Sequence, residues 1–190
     1  TSRGVARQAK VDRCSRLLAR WGAFCCTTFA VAAEPIDVRW GELHDLENRP
    51  VPAADAKWKV VCFLGVECPL ARLYAPRMER SGREFSGQDV RIIGINSNPQ
   101  DSAADIRRSI DDHRLSFPII KDHDQSLARL FGAKRTPEVF VLDASNRVCY
   151  QGRIDDQYEP GTARAEPTRH DLLVAIEALL AGRPAPSEKT

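Results

Sequence analysis

One cysteine stands where a nucleophile could be activated. Cys68 lies in Gly65-Val-Glu-Cys-Pro-Leu-Ala71, directly after the apolar run 59–65. Proline is favoured at the first position of a helix, which puts Cys68 at the N-cap. There its sulfur meets free backbone N–H groups and the positive end of the helix dipole, and both favour the thiolate, the nucleophilic form. Arg72, one turn further on, adds to this effect, and Glu67, immediately before, opposes it. Ser, Thr, Asp and Asn cap helices better than Cys, so capping alone does not explain the residue. The plainer alternative is a small apolar side chain at a tight junction.

The other cysteines are poorer candidates. Cys62 sits inside the apolar run, where a free cysteine serves as a small core residue, and Cys149 lies on a later strand. The spacings of Cys62, Cys68 and Cys149, the cysteines beyond residue 33, do not suit a zinc site, which usually needs close Cys or His pairs, and His44, His113, His123 and His170 are scattered. The sequence calls for no metal and no cofactor.

The elements that must position Cys68 can be read from periodicity. The runs 59–65 and 90–95 are continuous and apolar, as in strands buried on both faces. Further strands are expected at 117–120, 138–142 and 147–151, and a short strand pair at 36–51. A helix is predicted from Pro69 to about Phe85, with Leu70, Leu73, Tyr74, Met78, Ser81 and Phe85 along its inner side and a kink at Pro76. Helices also follow at 101–113, with Ala103, Ile106 and Ile110 inward, and at 126–131, closed by Gly132. Residues 155–167 read as a loop, and Thr168 as the cap of a last helix with Asp171 three residues on. The alternation makes the chain α/β, with a central mixed sheet and helices on both faces.

These features together resemble the thioredoxin-like superfamily, and within it the exported redoxins of the TlpA/ResA type and the alkyl-hydroperoxide-reductase/thiol-specific-antioxidant group. In that family a buried strand ends at Cys-x-x-Cys and a proline follows eight residues after the first cysteine. Here the strand leads to Cys68-Pro-Leu-Ala71, and Pro76 is eight residues after Cys68. The segment Asp124-Gln-Ser-Leu-Ala-Arg-Leu-Phe-Gly-Ala, followed by Thr136-Pro-Glu-Val-Phe-Val-Leu-Asp, is similar to these redoxins. The resemblance covers about residues 36–182. It implies a thioredoxin-like fold, Cys68 as nucleophile, and a cis-proline loop at Thr136–Pro137 facing it. It also exposes two departures. Ala71 replaces the second cysteine, so the usual internal disulfide cannot form. Val61 and Gly65 occupy the proline and threonine places of the peroxiredoxin motif, which removes a hydroxyl that orients peroxide.

Charge divides the chain. The whole carries 28 Lys and Arg against 26 Asp and Glu, a net +2 too small for a nucleic-acid footprint. Residues 1–33 hold six Lys or Arg and one Asp, a local +5, which leaves −3 on the rest. That head has the three parts of a secretory signal: a basic stretch, the apolar run 21–33, and the small-residue site Ala30-Val-Ala32. Phe24 before Cys25 does not suit a lipobox. The expected organisation is a targeting segment at 1–33, a redoxin domain at 34–182 and a tail at 183–190, exported to a periplasmic or other extracytoplasmic space. An uncleaved head would be its only membrane contact.

Three functions remain open on the sequence. The first is a thiol-disulfide oxidoreductase using Cys68 alone, with protein or small-molecule thiols and disulfides as partners. The second is a one-cysteine peroxidase, and the third a non-catalytic docking module. For the first, the thiol that releases Cys68 is external or is Cys62 or Cys149.

Overall fold

The computed structural model describes residues 34–159 and 162–186; the head at 1–33 and the last four residues lie outside the described residues. Five strands form one sheet in the order β3-β2-β1-β4-β5. They are β1 (Trp58–Phe63), β2 (Val90–Asn96), β3 (Ile119–Lys121), β4 (Glu138–Leu142) and β5 (Val148–Gly152). β1 pairs in parallel with β2, and β2 with β3; β4 runs antiparallel to both β1 and β5. All five lie within about two residues of the strands expected from the sequence.

The period of two along the central strands divides the core. Val60, Cys62, Ile92, Val139 and Val141 face a cluster with α1 (Pro69–Glu84), α2 (Ala103–His113) and α4 (Asp171–Leu180). Val61, Phe63, Ile93, Ile95, Phe140 and Leu142 face the other side, where α3 (Ser126–Phe131) and the segment around Trp40 cover them. Phe63, Phe131 and Phe140 meet edge to face there, with centroids 5.3–5.7 Å apart. No helix among the described residues is long and apolar enough to cross a membrane.

Four expectations need correction. Leu70 and Leu73 do not face the core; they are 39% and 49% exposed, and the buried stripe of α1 is Ala71, Tyr74, Ala75, Met78, Glu79 and Ser81. A polar side chain can be inward when it is satisfied: Glu79 accepts hydrogen bonds from the Ser116 backbone and hydroxyl at 2.7 and 2.8 Å. The 36–51 segment is not a strand pair but a 3-10 turn at Trp40–Glu42 with isolated bridges Pro35–Arg147 and His44–Pro50. Thr168 does not cap the last helix. Its hydroxyl and N–H go to Asp156, and α4 begins after His170 without a side-chain cap. The 155–167 stretch is not a plain loop either, because it carries the small hairpin β6–β7 (Tyr158–Glu159 and Thr162–Ala163).

Candidate active site

β4 places the Thr136–Pro137 loop by register. Glu138 opens that strand opposite Phe63 of β1, so the two residues before it come level with the turn that leaves β1. The Thr136–Pro137 peptide bond is cis. Glu138, buried at the strand end, braces the loop: one carboxylate oxygen accepts the Lys134 N–H at 2.8 Å and the other the Gln151 amide at 3.0 Å.

Cys68 caps α1 as expected. Its backbone is extended (φ −77°, ψ 113°), and its carbonyl accepts the Arg72 N–H at 3.1 Å, closing the first helical turn. Its Sγ accepts the Ala71 N–H at 3.5 Å and donates to the Thr136 carbonyl at 3.1 Å. The sulfur thus sits between a backbone donor and a backbone acceptor. Gly65 lies within the same cluster: a Cβ there would make ordinary contact, 3.5 Å from Cys68 Cβ and Thr136 Oγ1 and 3.9 Å from Asp101 Oδ2.

Asp101 is the residue that the sequence reading missed. The capping box of Ser102 and Asp105 starts α2 at Ala103, which leaves Asp101 outside the helix. Its buried carboxylate turns toward the exit of β1. It accepts the Val66 N–H at 2.8 Å, the Asn96 amide at 2.7 Å and the Asn98 amide at 2.8 Å. The Asn96 oxygen in turn accepts from Lys121 Nζ at 2.9 Å. Asp101 thereby holds the backbone two residues before Cys68. The sequence signal was an aspartate one place before a good N-cap serine; for Glu138 it was a carboxylate opening an apolar strand.

The three candidate residues, Cys68, Thr136 and Pro137, are thus brought together, and the two other described cysteines are not part of that cluster. Cys62 is fully buried in β1, and burial pushes its thiol well above the ordinary range. Cys149 lies on β5, with Sγ 3.6 Å from the Arg147 carbonyl; partial burial raises its pKa, and nearby Asp143 adds to this. All three described cysteines are unpaired. The charged residues after β5 turn inward instead of lying in solvent. Asp155 accepts the Tyr74 hydroxyl at 2.5 Å and pairs with Arg77, and Asp156 is bound by Thr168 and Arg169. Burial and the bond to Asp155 raise the Tyr74 pKa, and Arg77 stacks 5.0 Å from its ring centre.

A family model described as the AhpC/TSA family matches residues 40–151, more than half of the chain. The chain belongs to the AhpC/TSA family. The matched span holds all of this site: Cys68, Asp101, Thr136, Pro137 and Glu138. A curated relative, the thiol-disulfide oxidoreductase ResA of Halalkalibacterium halodurans, is 28% identical over 108 residues, which is 56% of this chain and 60% of that protein. The chain therefore spans about three fifths of that relative. A hypothetical protein of Sinorhizobium meliloti superimposes with a TM-score of 0.74 at 25% identity, covering 84% of this chain and 89% of that one. The thioredoxin domain of a thiol-disulfide oxidoreductase from Bacteroides vulgatus gives a TM-score of 0.55 at 14% identity, over 75% and 99% of the two chains. At that identity the likeness speaks for the fold, and the fold of this AhpC/TSA chain is thioredoxin-like.

Proposed function

We propose that this protein is a thiol-disulfide oxidoreductase that works through one cysteine, Cys68. The observation that carries the reading is the cluster itself: a helix-capping sulfur within 3.1 Å of the carbonyl of Thr136, beside cis-Pro137. As thiolate, Cys68 attacks one sulfur of a substrate disulfide, forms a mixed disulfide with it and releases the other half as a thiol. The Thr136–Pro137 loop aligns the substrate backbone. A substrate amide that occupies the Thr136 carbonyl removes the acceptor that the Cys68 S–H uses at rest, which exposes the sulfur when substrate is present.

Ala71 carries no thiol, and Cys62 is sealed in the core. The mixed disulfide is therefore released by a thiol from outside the site. Residues 34–182 form the redoxin domain, followed by a tail at 183–190, and the head at 1–33 directs export and is removed; N-terminal sequencing of exported protein should then begin near Ala33.

The test is trapping. A mixed disulfide with a model substrate should form in the wild type, resist release until a thiol is added, and be absent in Cys68→Ser. Alkylation under native conditions should reach Cys68 before Cys62. A Cys68 that forms no adduct and alkylates only after unfolding would leave the docking module.

Membership of the AhpC/TSA family favours a second reading, peroxide reduction at the same sulfur. A glycine stands where the peroxide-orienting threonine is expected, but Thr136 Oγ1 lies 3.5 Å from the Cβ position of residue 65 and could supply a hydroxyl. Catalytic peroxide consumption lost in Cys68→Ser would establish that reading over the first.

A further inference from the structure

Between Val66–Glu67, the start of α1 and the outer face of α2 lies a polar cleft of about 160 Å³. Its charged lining is Glu67, Arg72, Asp105, Arg108, Asp112 and His113. Two of these neutralise each other: Arg108 pairs with Asp105 at 3.5 Å, and Asp105 also closes the capping box with Ser102. The side chains of Glu67, Arg72 and Asp112 have no ion pair or hydrogen bond among the described residues. The cleft thus offers one guanidinium and two carboxylates with unspent charge.

Two of the lining residues, Glu67 and Arg72, stand close to Cys68 along the chain. Glu67 is the neighbour of Cys68 in the chain. Arg72 follows Cys68 by four residues, so it stands one turn along the same edge of the helix, and helical side chains lean back toward the N-terminus. That lean carries the Arg72 side chain toward the N-terminal end of α1, the end that Cys68 caps. A guanidinium binds a carboxylate through two parallel hydrogen bonds, and Glu67 or Asp112 suits an ammonium group.

We propose that this cleft binds the releasing thiol, and that this thiol is a small molecule bearing an α-amino acid group, its carboxylate on Arg72 and its ammonium on Glu67 or Asp112. The inference rests on the Cys68 mixed-disulfide reading above. The seated thiolate attacks Sγ of Cys68 in the mixed disulfide, a new S–S bond forms to Cys68, and the substrate half leaves as thiolate and takes a proton from water. A second molecule of the same thiol then attacks the sulfur of the first and frees Cys68. Over the cycle one substrate disulfide and two small thiols give two substrate thiols and one small disulfide, so electrons and protons balance. The same cleft serves the reverse entry, in which the small disulfide thiolates Cys68.

That entry can be measured with four disulfides on one S–C–C skeleton: L-cystine carries both groups, 3,3′-dithiodipropionate only the carboxylate, cystamine only the ammonium, and 2-hydroxyethyl disulfide neither. The rate of Cys68 thiolation in the full chain is followed by intact mass, each rate divided by that of the same reagent with the unfolded chain. Cystine should lead the neutral reagent by about fivefold or more, the ratio of one well-placed charge pair, and should also lead the two singly charged reagents. Arg72→Gln should lower the cystine-to-neutral ratio to about the cystamine-to-neutral ratio, with only the ammonium contact left. Arg80→Gln, the same charge change on an exposed residue further along α1, should leave that ratio in place. Equal normalised rates for all four reagents, or a ratio that survives Arg72→Gln, would overturn the cleft assignment while leaving Cys68 as nucleophile. No thiolation of Cys68 by any reagent would instead overturn the mixed-disulfide reading on which it rests.

Discussion

Removing the carboxylate of Asp101 should be among the costliest single changes near the site, and most of its size can be worked out from two of its three bonds. In Asp101→Ala the Val66 N–H and the Asn96 amide lose their acceptor, at present 2.8 and 2.7 Å away. A buried donor left unsatisfied costs about 1–3 kcal/mol. Asn96 is 2% exposed and bears the upper part of that range, whereas half-buried Val66 can find water and bears the lower part. The sum is about 2–5 kcal/mol, a large share of the about 5–15 kcal/mol that holds a domain together. At about 2–4 °C per kcal/mol for a chain of this size, the melting temperature should fall by about 4–20 °C. Asp101→Asn should behave differently. Its carbonyl oxygen can take the place that receives both buried donors, which puts its NH2 group against the amide of half-buried Asn98. Only that one bond is lost, at about 0.5–1.5 kcal/mol. Urea denaturation followed by far-UV circular dichroism separates the two variants, and hydrogen exchange at the Val66 amide should accelerate only in the alanine variant. Equal costs for Ala and Asn, or a cost below about 0.5 kcal/mol for Ala, would refute the claim that Asp101 anchors the turn before Cys68.

Three further outcomes are expected. Glu79 and Asp156 both sit below the usual carboxylate range: for Glu79, burial opposes ionisation but the Ser116 and Arg83 hydrogen bonds outweigh it, and for Asp156 the Thr168 hydroxyl leads. Both folded-state values are depressed, so the stability they give is complete above the unfolded carboxylate range, about pH 4, and is lost as the pH falls through the lower folded values; urea midpoints from pH 6 to pH 2 should decline less steeply in Glu79→Gln, and an unchanged slope would contradict this. Tyr74→Phe removes a hydroxyl from buried Asp155, a bond to a charged group, and should destabilise by about 1.5–3 kcal/mol in the same urea assay; a cost within error of zero would mean that Arg77 and the Gln157 N–H suffice. Ala71→Cys should create a disulfide with Cys68 on mild oxidation, read as a mass loss of about two hydrogens, because residue 71 is already packed against Sγ through its N–H at 3.5 Å; persistent free thiols would place the two side chains on diverging directions.

What the sequence made legible followed strong periodicity. The strands at 59–65 and 138–142 were readable because runs of β-branched and aromatic residues have few other uses. Cys68 was readable because Pro69 fixes the start of its helix, and the cap geometry then follows from backbone chemistry. The misreadings share a cause. Leu70 and Leu73 read as inward on hydrophobicity, but α1 turns Glu79 to the core beside the expected Tyr74, Met78 and Ser81, since Ser116 and Arg83 satisfy the acid. Asp155, Asp156 and Gln157 fall in a stretch that read as a loop, but each is buried on partners that the linear sequence does not reveal, 78 to 81 positions back for Asp155 and Gln157 and 12 to 13 positions ahead for Asp156. A buried polar group is specified by its partner, and a single sequence does not pair distant residues.

The same reasoning separates Cys62 from Cys68, two thiols six residues apart on one strand–turn–helix segment. Cys62 points into the cluster shared by α1 and α4, among Val60, Leu64 and Val139, where no polar group accompanies it and burial alone raises its pKa. Cys68 has left the sheet by the turn at Gly65, and its sulfur meets an amide on one side and a carbonyl on the other. Neither polar contact comes from a residue chosen for its side chain. Both are backbone groups, one at a helix start and one beside a cis-proline, so they survive almost any substitution that keeps the fold. The residues whose side chains matter are one step further out: Asp101 holding Val66, and Glu138 holding Lys134. On the mixed-disulfide reading, Cys68 is held in place by two buried carboxylates that never touch its sulfur, and changes at those two positions should alter its rate with a neutral disulfide more than changes to the exposed residues around it.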